Sequence, residues 1–293
     1  MFWSNRRATE LASRYENVSI HPTAEVAEDV EIGPFSVIGP ECRIDAGSCL
    51  HNHTTLHANV HLGRKCEIYP GSVLGGLPQD KKYRGEESRL VLGDYNVLRE
   101  NVTIHSGTEL GNGLTILGHR NLIMANCHIA HDCVLENDII MANNVLLGGH
   151  VLVESYASFG GLAAVHHFVT VGQHAFVGGL TRVTQDVPPY MLLEGNPGRI
   201  WSTNKVGLKR RHFELEAINA LKVAHRLLFR SRKPRSEIVQ ELLELYTDLT
   251  EVHILIDFLR ATDLGHQGRA RQPRSHDLEE DRGSMAETPE LTD

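Results

Sequence analysis

The chain has 293 residues, 41% hydrophobic, 6% aromatic and 23% charged, with a formal charge of −8. That is ample for one long domain or two smaller ones; the acidic balance argues against nucleic acid as a partner, and no run approaches the roughly 20 apolar residues of an integral membrane segment. Five cysteines are too few, and too odd a number, for a disulfide scaffold, whereas 18 histidines point to imidazole chemistry.

Residues 1–19 read as an N-terminal extension. Arg6 and Arg7 are not followed by an apolar run, so a secretory signal is not expected and the default location is cytoplasmic. From Ile20 a six-residue ruler begins: Ile20, Val26, Ile32, Ile38, Ile44, Leu50, Leu56, Leu62, Ile68, Leu74. The polar segment 75–91 breaks it and reads as a projecting loop, the kind of element that carries function on a rigid scaffold. The ruler resumes at Leu92, Leu98, Ile104 and Leu110, slips by one residue near Gly111-Asn112-Gly113, and then runs from Leu117 to Val183 without a miss. A period of six fits neither a helix nor a flat strand; it predicts a parallel β-helix over 20–187. Two places before each ruler position the residue is mostly small or β-branched. Cys42, Cys66, Cys127 and Cys133 fall there and read as small buried hydrophobes rather than metal ligands.

Residues 188–262 read as a connecting segment and a C-terminal α-helical domain. One helix is expected around Phe213 to Arg232. A stripe Ile238, Leu242, Leu245, Leu249, Val252, Ile256, Leu259 then suggests a packed helix, with a seam between subunits as one use. Between Asn204 and Arg235 ten Lys or Arg face two Glu, a basic surface suited to solvation or to docking an acidic partner. Residues 263–293 read as a disordered tail.

Three hexads make an 18-residue coil, so residues 18 apart stack at the inter-strand spacing. His131 then lies under Gly149 and shares a column with His167, while Asp132 lies under His150. A structural ladder, a three-histidine zinc site, and a general base with supporting histidines are all open to this cluster.

The strings Asn126-Cys-His-Ile-Ala-His-Asp-Cys133, Gly148-Gly149-His150, Ala164-Val165-His166, Gln185-Asp186-Val187-Pro188-Pro189-Tyr190, Gly195-Asn196 and Gly207-Leu208-Lys209-Arg210-Arg211 closely resemble the UDP-N-acetylglucosamine O-acyltransferases of lipid A biosynthesis. The loop string Gln79-Asp80-Lys81-Lys82-Tyr83 matches too, and the resemblance covers roughly His21 to Leu259. It implies a left-handed parallel β-helix, a homotrimer with clefts between subunits, and transfer of a (3R)-3-hydroxyacyl group from acyl carrier protein to the 3-hydroxyl of the UDP-sugar. It implies no metal and no bound cofactor, the acyl group arriving on phosphopantetheine.

Carried over by resemblance, His131 is the general base and the Gly149 amide the oxyanion contact. Asp132 tunes the base, although strand alternation would turn it to the opposite face. His128, His150, His166 and His167 fall at substrate-contacting positions, Asp80 and Lys82 at sugar-binding ones. Asn204 and Arg210 match nucleotide contacts; Lys209, Arg210 and Arg211 would dock the carrier protein. Gly179 matches the floor of the acyl pocket and implies a long chain. Two departures stand out: His167 where the family often has Gln, and Val206 where Glu is common. They leave open a 3-amino UDP-sugar as acceptor, or a non-catalytic hexapeptide-repeat scaffold that binds acyl carrier. A γ-type carbonic anhydrase or another hexapeptide acyltransferase are the remaining alternatives, and the loop with the Gly-Leu-Lys-Arg-Arg string argues against the latter.

Overall fold

The computed structural model describes residues 15–272. From Ser19–Ile20 to Arg182–Val183 short strands follow one another around a triangular coil and stack into three parallel sheets. Within each sheet the register advances by 18, as in Ser19 to Val37. The ruler residue is the inward one of each strand, and Ile38, Leu50, Leu56 and Ile68 are almost wholly buried. Burial of one branched aliphatic per hexad, worth about 1.5–3 kcal/mol each, holds the prism together.

The corners have a repeated backbone. One residue in each adopts a left-handed conformation, φ near +60° at Asn126, Asp132, Asp138, Asn144 and His150. Asn and Asp tolerate this region better than other side chains. Inside the corners, the thiols of Cys42, Cys127 and Cys133 donate to the carbonyls of His57, Ala142 and Gly148 on the next coil, at 2.7, 3.1 and 3.1 Å. Burial pushes the Cys127 thiol up to about 11, consistent with a packing role.

Two insertions leave the coil. The first is narrower than 75–91. The strands Val73–Gly76 and Arg89–Leu92 stay paired, so only 77–88 project. The ruler resumes in phase because twelve residues are two hexads. The second is larger than a one-residue slip. Thr103 pairs with His128, an advance of 25 rather than 18. The extra seven residues hold a 3-10 turn, Glu109–Gly111, and Leu110 is 59% exposed rather than a core position. Seven and one differ by one hexad, which made the insertion look like a slip.

The β-structure also runs past 187. Strand Met191–Glu194 continues the third sheet in parallel, and Arg199–Thr203 turns back against it, capping the coil's end. Four helices follow: α1 Lys205–Arg210, α2 Leu215–Arg230, α3 Arg235–Leu245 and α4 Thr250–Asp263. The apolar stripe is therefore two helices, broken at 246–249. Ile238, Leu242, Val252 and Ile256 pack with Ile218 and Leu221 of α2, in a core within the chain. Leu245 is exposed. The tail reading is corrected over its first ten residues: 263–272 end α4 and form a 3-10 turn, Gly268–Arg271, lying on the coil. Residues 1–14 and 273–293, which include most of the two terminal segments, lie outside the described residues.

Candidate active site

One corner, between the first and second sheets, gathers imidazoles on successive coils. His131-Asp132, Gly149-His150 and His167-Phe168 stack there as the 18-residue repeat predicts; the His150 amide donates to the His131 carbonyl at 3.0 Å. Asp132 is not in a strand. Its left-handed corner conformation (φ 61°) overrides alternation and returns the carboxylate to its neighbour. His131 Nδ1 lies 2.6 Å from Asp132 Oδ2. The Thr108 amide donates to Oδ1 at 2.6 Å and the Thr108 hydroxyl to Oδ2 at 2.7 Å. Burial alone would raise the Asp132 pKa, but the bonds from His131 and Thr108 together outweigh it and hold the carboxyl below its usual range. An anionic Asp132 places the proton on His131 Nδ1, leaving Nε2 as an acceptor.

A hollow of about 410 Å³ opens in front of this ring. Gly149 borders it, and its amide nitrogen has no acceptor among the described residues. A side chain at 149 would strike His131, since a Cβ would lie 2.6 Å from Cε1. Asp80 and Lys82 of the projecting loop form another wall, turned by the Lys82 amide donating to Asp80 Oδ1 at 3.0 Å. His150 stacks on Phe168 at 4.3 Å; burial chiefly lowers its pKa, against the opposing pull of Asp132. His131, Asp132 and His150 offer donor atoms within 4.8 Å of one another, enough to suit a metal ion. Both Asp132 oxygens are already engaged by Thr108 and His131, however, and a metal would have to displace those bonds.

The other expected residues spread over the prism. His128, bonded to the Thr103 hydroxyl at 2.8 Å, lies on the first sheet edge-on to His105. His166 packs against His167, which borders the hollow. Gly179 sits at a different corner, between the third and first sheets, where a Cβ would meet the Gly161 carbonyl at 3.2 Å. Exposed Leu162 and Leu180 flank it, and exposed Leu146 lies on the first sheet. Arg210 and Arg211 belong to the third corner, lining a hollow with Tyr156, His174 and Phe213; the Arg211 guanidinium lies 4.2 Å over Tyr156. Asn204 is buried as the N-cap of α1. Its Oδ1 accepts from Gly207 and its Nδ2 donates to the His174 carbonyl. Lys209 is exposed at the end of α1, and so is Val206 in its first turn.

The chain is 42% identical over 255 residues to the acyl-[acyl-carrier-protein]–UDP-N-acetylglucosamine O-acyltransferase of Myxococcus xanthus, covering 87% of this chain and 99% of that one. It belongs to the UDP-N-acetylglucosamine O-acyltransferase family. Residues 186–267 match the family described as Udp N-acetylglucosamine O-acyltransferase, domain 2. Among solved structures, LpxA from Acinetobacter baumannii superposes with a TM-score of 0.80 at 36% identity, over 82% of this chain and 94% of that one. The acyltransferase of Bacteroides fragilis gives 0.80 at 32% identity, over 83% and 95%. The coil is thus the left-handed parallel β-helix of this family.

Several residues at this candidate site were not singled out from sequence. Thr108 holds Asp132 from within the seven-residue insertion, which periodic reasoning could not place. His105 packs against His128 one coil away; its Nδ1 is buried without a partner among the described residues. Burial, with smaller contributions from His128, His131 and His57, lowers the His105 pKa to about 4. Gln79, Leu110, Phe168, Arg271 and Gln272 also border the hollow. Of these, only Gln79 lay within a matched string, and it was given no role there.

Proposed function

We propose that this protein transfers a (3R)-3-hydroxyacyl group from acyl carrier protein to the 3-hydroxyl of UDP-N-acetylglucosamine, the opening step of lipid A synthesis. One observation carries the reading: His131, tied through Nδ1 to a carboxylate with both oxygens engaged, faces a hollow beside the free Gly149 amide. His131 Nε2 removes the sugar hydroxyl proton as the oxygen attacks the thioester carbonyl. The tetrahedral oxyanion accepts from the Gly149 N–H. Collapse expels the phosphopantetheine thiolate, which regains its proton from the His131 imidazolium. No bound cofactor or metal enters these steps, and a carrier-borne donor supports a cytoplasmic location. No helix among the described residues is long and apolar enough to cross a membrane.

The matched residues occupy three different corners of one prism: His131 at one, Gly179 at the second, Arg210 and Arg211 at the third. One chain cannot bring them to a single substrate. Cyclic packing of three copies, corner against corner, would, and this supports a homotrimer with sites between subunits. The basic residues Lys209, Arg210 and Arg211 would meet the acidic carrier protein there, and the Leu146, Leu162 and Leu180 strip would lead the acyl chain toward Gly179.

The test is acyl transfer from (3R)-hydroxyacyl carrier proteins of several lengths, to UDP-N-acetylglucosamine and its 3-amino analogue in parallel. Transfer to the hydroxyl sugar, lost in His131→Ala, is expected. Exclusive use of the amino sugar would reassign the acceptor. No transfer to either would leave a non-catalytic carrier-binding scaffold.

A further inference from the structure

Past Leu264 the chain turns at Gly265 and doubles back onto the coil. The docking is specific. The Gly268 amide donates to the Thr170 hydroxyl at 3.2 Å, and Gly268, with φ +64°, lies so close to the Asp186 carboxylate that no Cβ would fit. Gln267 Nε2 donates to the Thr262 hydroxyl at 2.8 Å and to the Phe258 carbonyl at 3.0 Å. These contacts deliver Arg271 to the rim of the catalytic hollow, where one nitrogen, Nη2, donates to the carbonyls of His150 and Phe168 at 3.0 and 3.1 Å. The 3-10 turn Gly268–Arg271 itself begins just beyond the family match, which ends at 267.

We propose that Arg271 is a positioning residue for acyl transfer, pinning the His150 and Phe168 carbonyls and so holding the corner that presents the Gly149 amide beside His131. The need for a pin follows from Gly149 itself. Only glycine clears the His131 ring, yet glycine has the freest backbone of any residue. Its N–H direction is therefore poorly fixed by its own conformation. The two carbonyls belong to left-handed corners on successive coils, φ 60° at His150 and 64° at Phe168, and neither accepts from another described residue. A single donor bridging them fixes both the tilt of the residue following Gly149 and the spacing of the coils. The Arg271 side chain lies exposed at the rim with its guanidinium over the Phe168 ring at 5.9 Å, and it keeps its charge at any working pH.

This inference rests on the acyltransferase reading, so wild type and His131→Ala are assayed first. In the full chain, Arg271→Ala is expected to lower kcat about tenfold, below the 10²–10³-fold cost of deleting an oxyanion donor outright. KM for both substrates should stay within about twofold, because a transition-state contact is what loosens. Arg271→Lys, whose ammonium can donate to both carbonyls, should recover most of the loss with an unchanged Tm. Amide hydrogen exchange over 149–151 should quicken in Arg271→Ala, a readout independent of turnover. Unchanged exchange and kcat would overturn the proposal. So would a higher KM with kcat intact, which would make Arg271 a substrate-anion contact. A chain ending at Gln267 that turned over faster would make the turn an obstruction. If wild type shows no transfer, the functional reading fails, and the exchange comparison alone decides whether the clamp exists.

Discussion

Gly149 lies directly over the His131 imidazole: a Cβ there would stand 2.6 Å from Cε1 and 2.8 Å from Nε2. The backbone position proposed to offer its amide to the oxyanion must therefore lack a side chain, or the proposed base loses its place. Gly149→Ala is expected to lower kcat about 10²-fold by displacing the ring, with little change in substrate KM. Steady-state kinetics beside a melting curve checks this; a variant with normal kcat would show that the ring has room to shift.

Thr108 gives both its amide and its hydroxyl to Asp132. Thr108→Val keeps the volume and the amide but removes one charge-assisted hydrogen bond, worth about 1.5–3 kcal/mol to a buried carboxylate. The expected result is a lower Tm and a five- to tenfold fall in kcat. Asp132→Asn should lose more, since the amide can favour the wrong His131 tautomer. Comparing kcat for the two variants decides whether Thr108 acts through Asp132: the double variant should be no worse than Asp132→Asn alone.

His105 supplies a pH prediction. Its folded pKa of about 4 lies below the ordinary 6.5. Between these values the unfolded chain binds a proton that the folded chain refuses, so stability is full above pH 6.5 and declines as pH falls toward 4. His105→Gln should flatten that decline by one proton's worth. Denaturant melts at pH 7.5, 5.5 and 4.5 measure it; an unaltered slope would mean that His105 protonates freely in the fold. His174, also lowered to about 4 by burial, should contribute a parallel slope that the variant leaves in place.

At Gly179 a new Cβ would press on the Gly161 carbonyl, at 3.2 Å, and meet the Gly161 nitrogen at an ordinary 3.8 Å, so a side chain needs a modest adjustment. Gly179→Met should shift the preferred hydroxyacyl chain to a shorter length without loss of fold. Competition between carrier-bound chains of different lengths reads the shift directly, and an unchanged preference would place the floor of the acyl lane elsewhere.

The coil was legible because its rule is a count. One aliphatic per six residues gave the prism, and a column every eighteen placed Gly149 over His131 and His150 over Asp132. The count fails where the chain leaves the coil. Thr108 reaches Asp132 across 24 positions, and Arg271 reaches His150 across 121, distances that no period connects. Alternation misplaced Asp132 because the residue turns a corner instead of lying in a strand. Asn204 was read as a nucleotide contact by resemblance; spacing gave no sign that its Oδ1 also caps α1 and its Nδ2 also donates to the His174 carbonyl. The apolar stripe of 238–259 had helical spacing throughout, and nothing in spacing alone reveals the break between α3 and α4.

The twelve-residue and seven-residue insertions share one property: each departs from the coil and rejoins it with the next strand in its proper column. Pairing restores alignment locally, one rung at a time, instead of carrying a running tally along the chain. A loop on this scaffold can therefore lengthen, shorten or be exchanged while the histidine column keeps its stacking. Evolution, or a protein engineer, is free to rewrite the projecting loop and leave the stacked histidines in place.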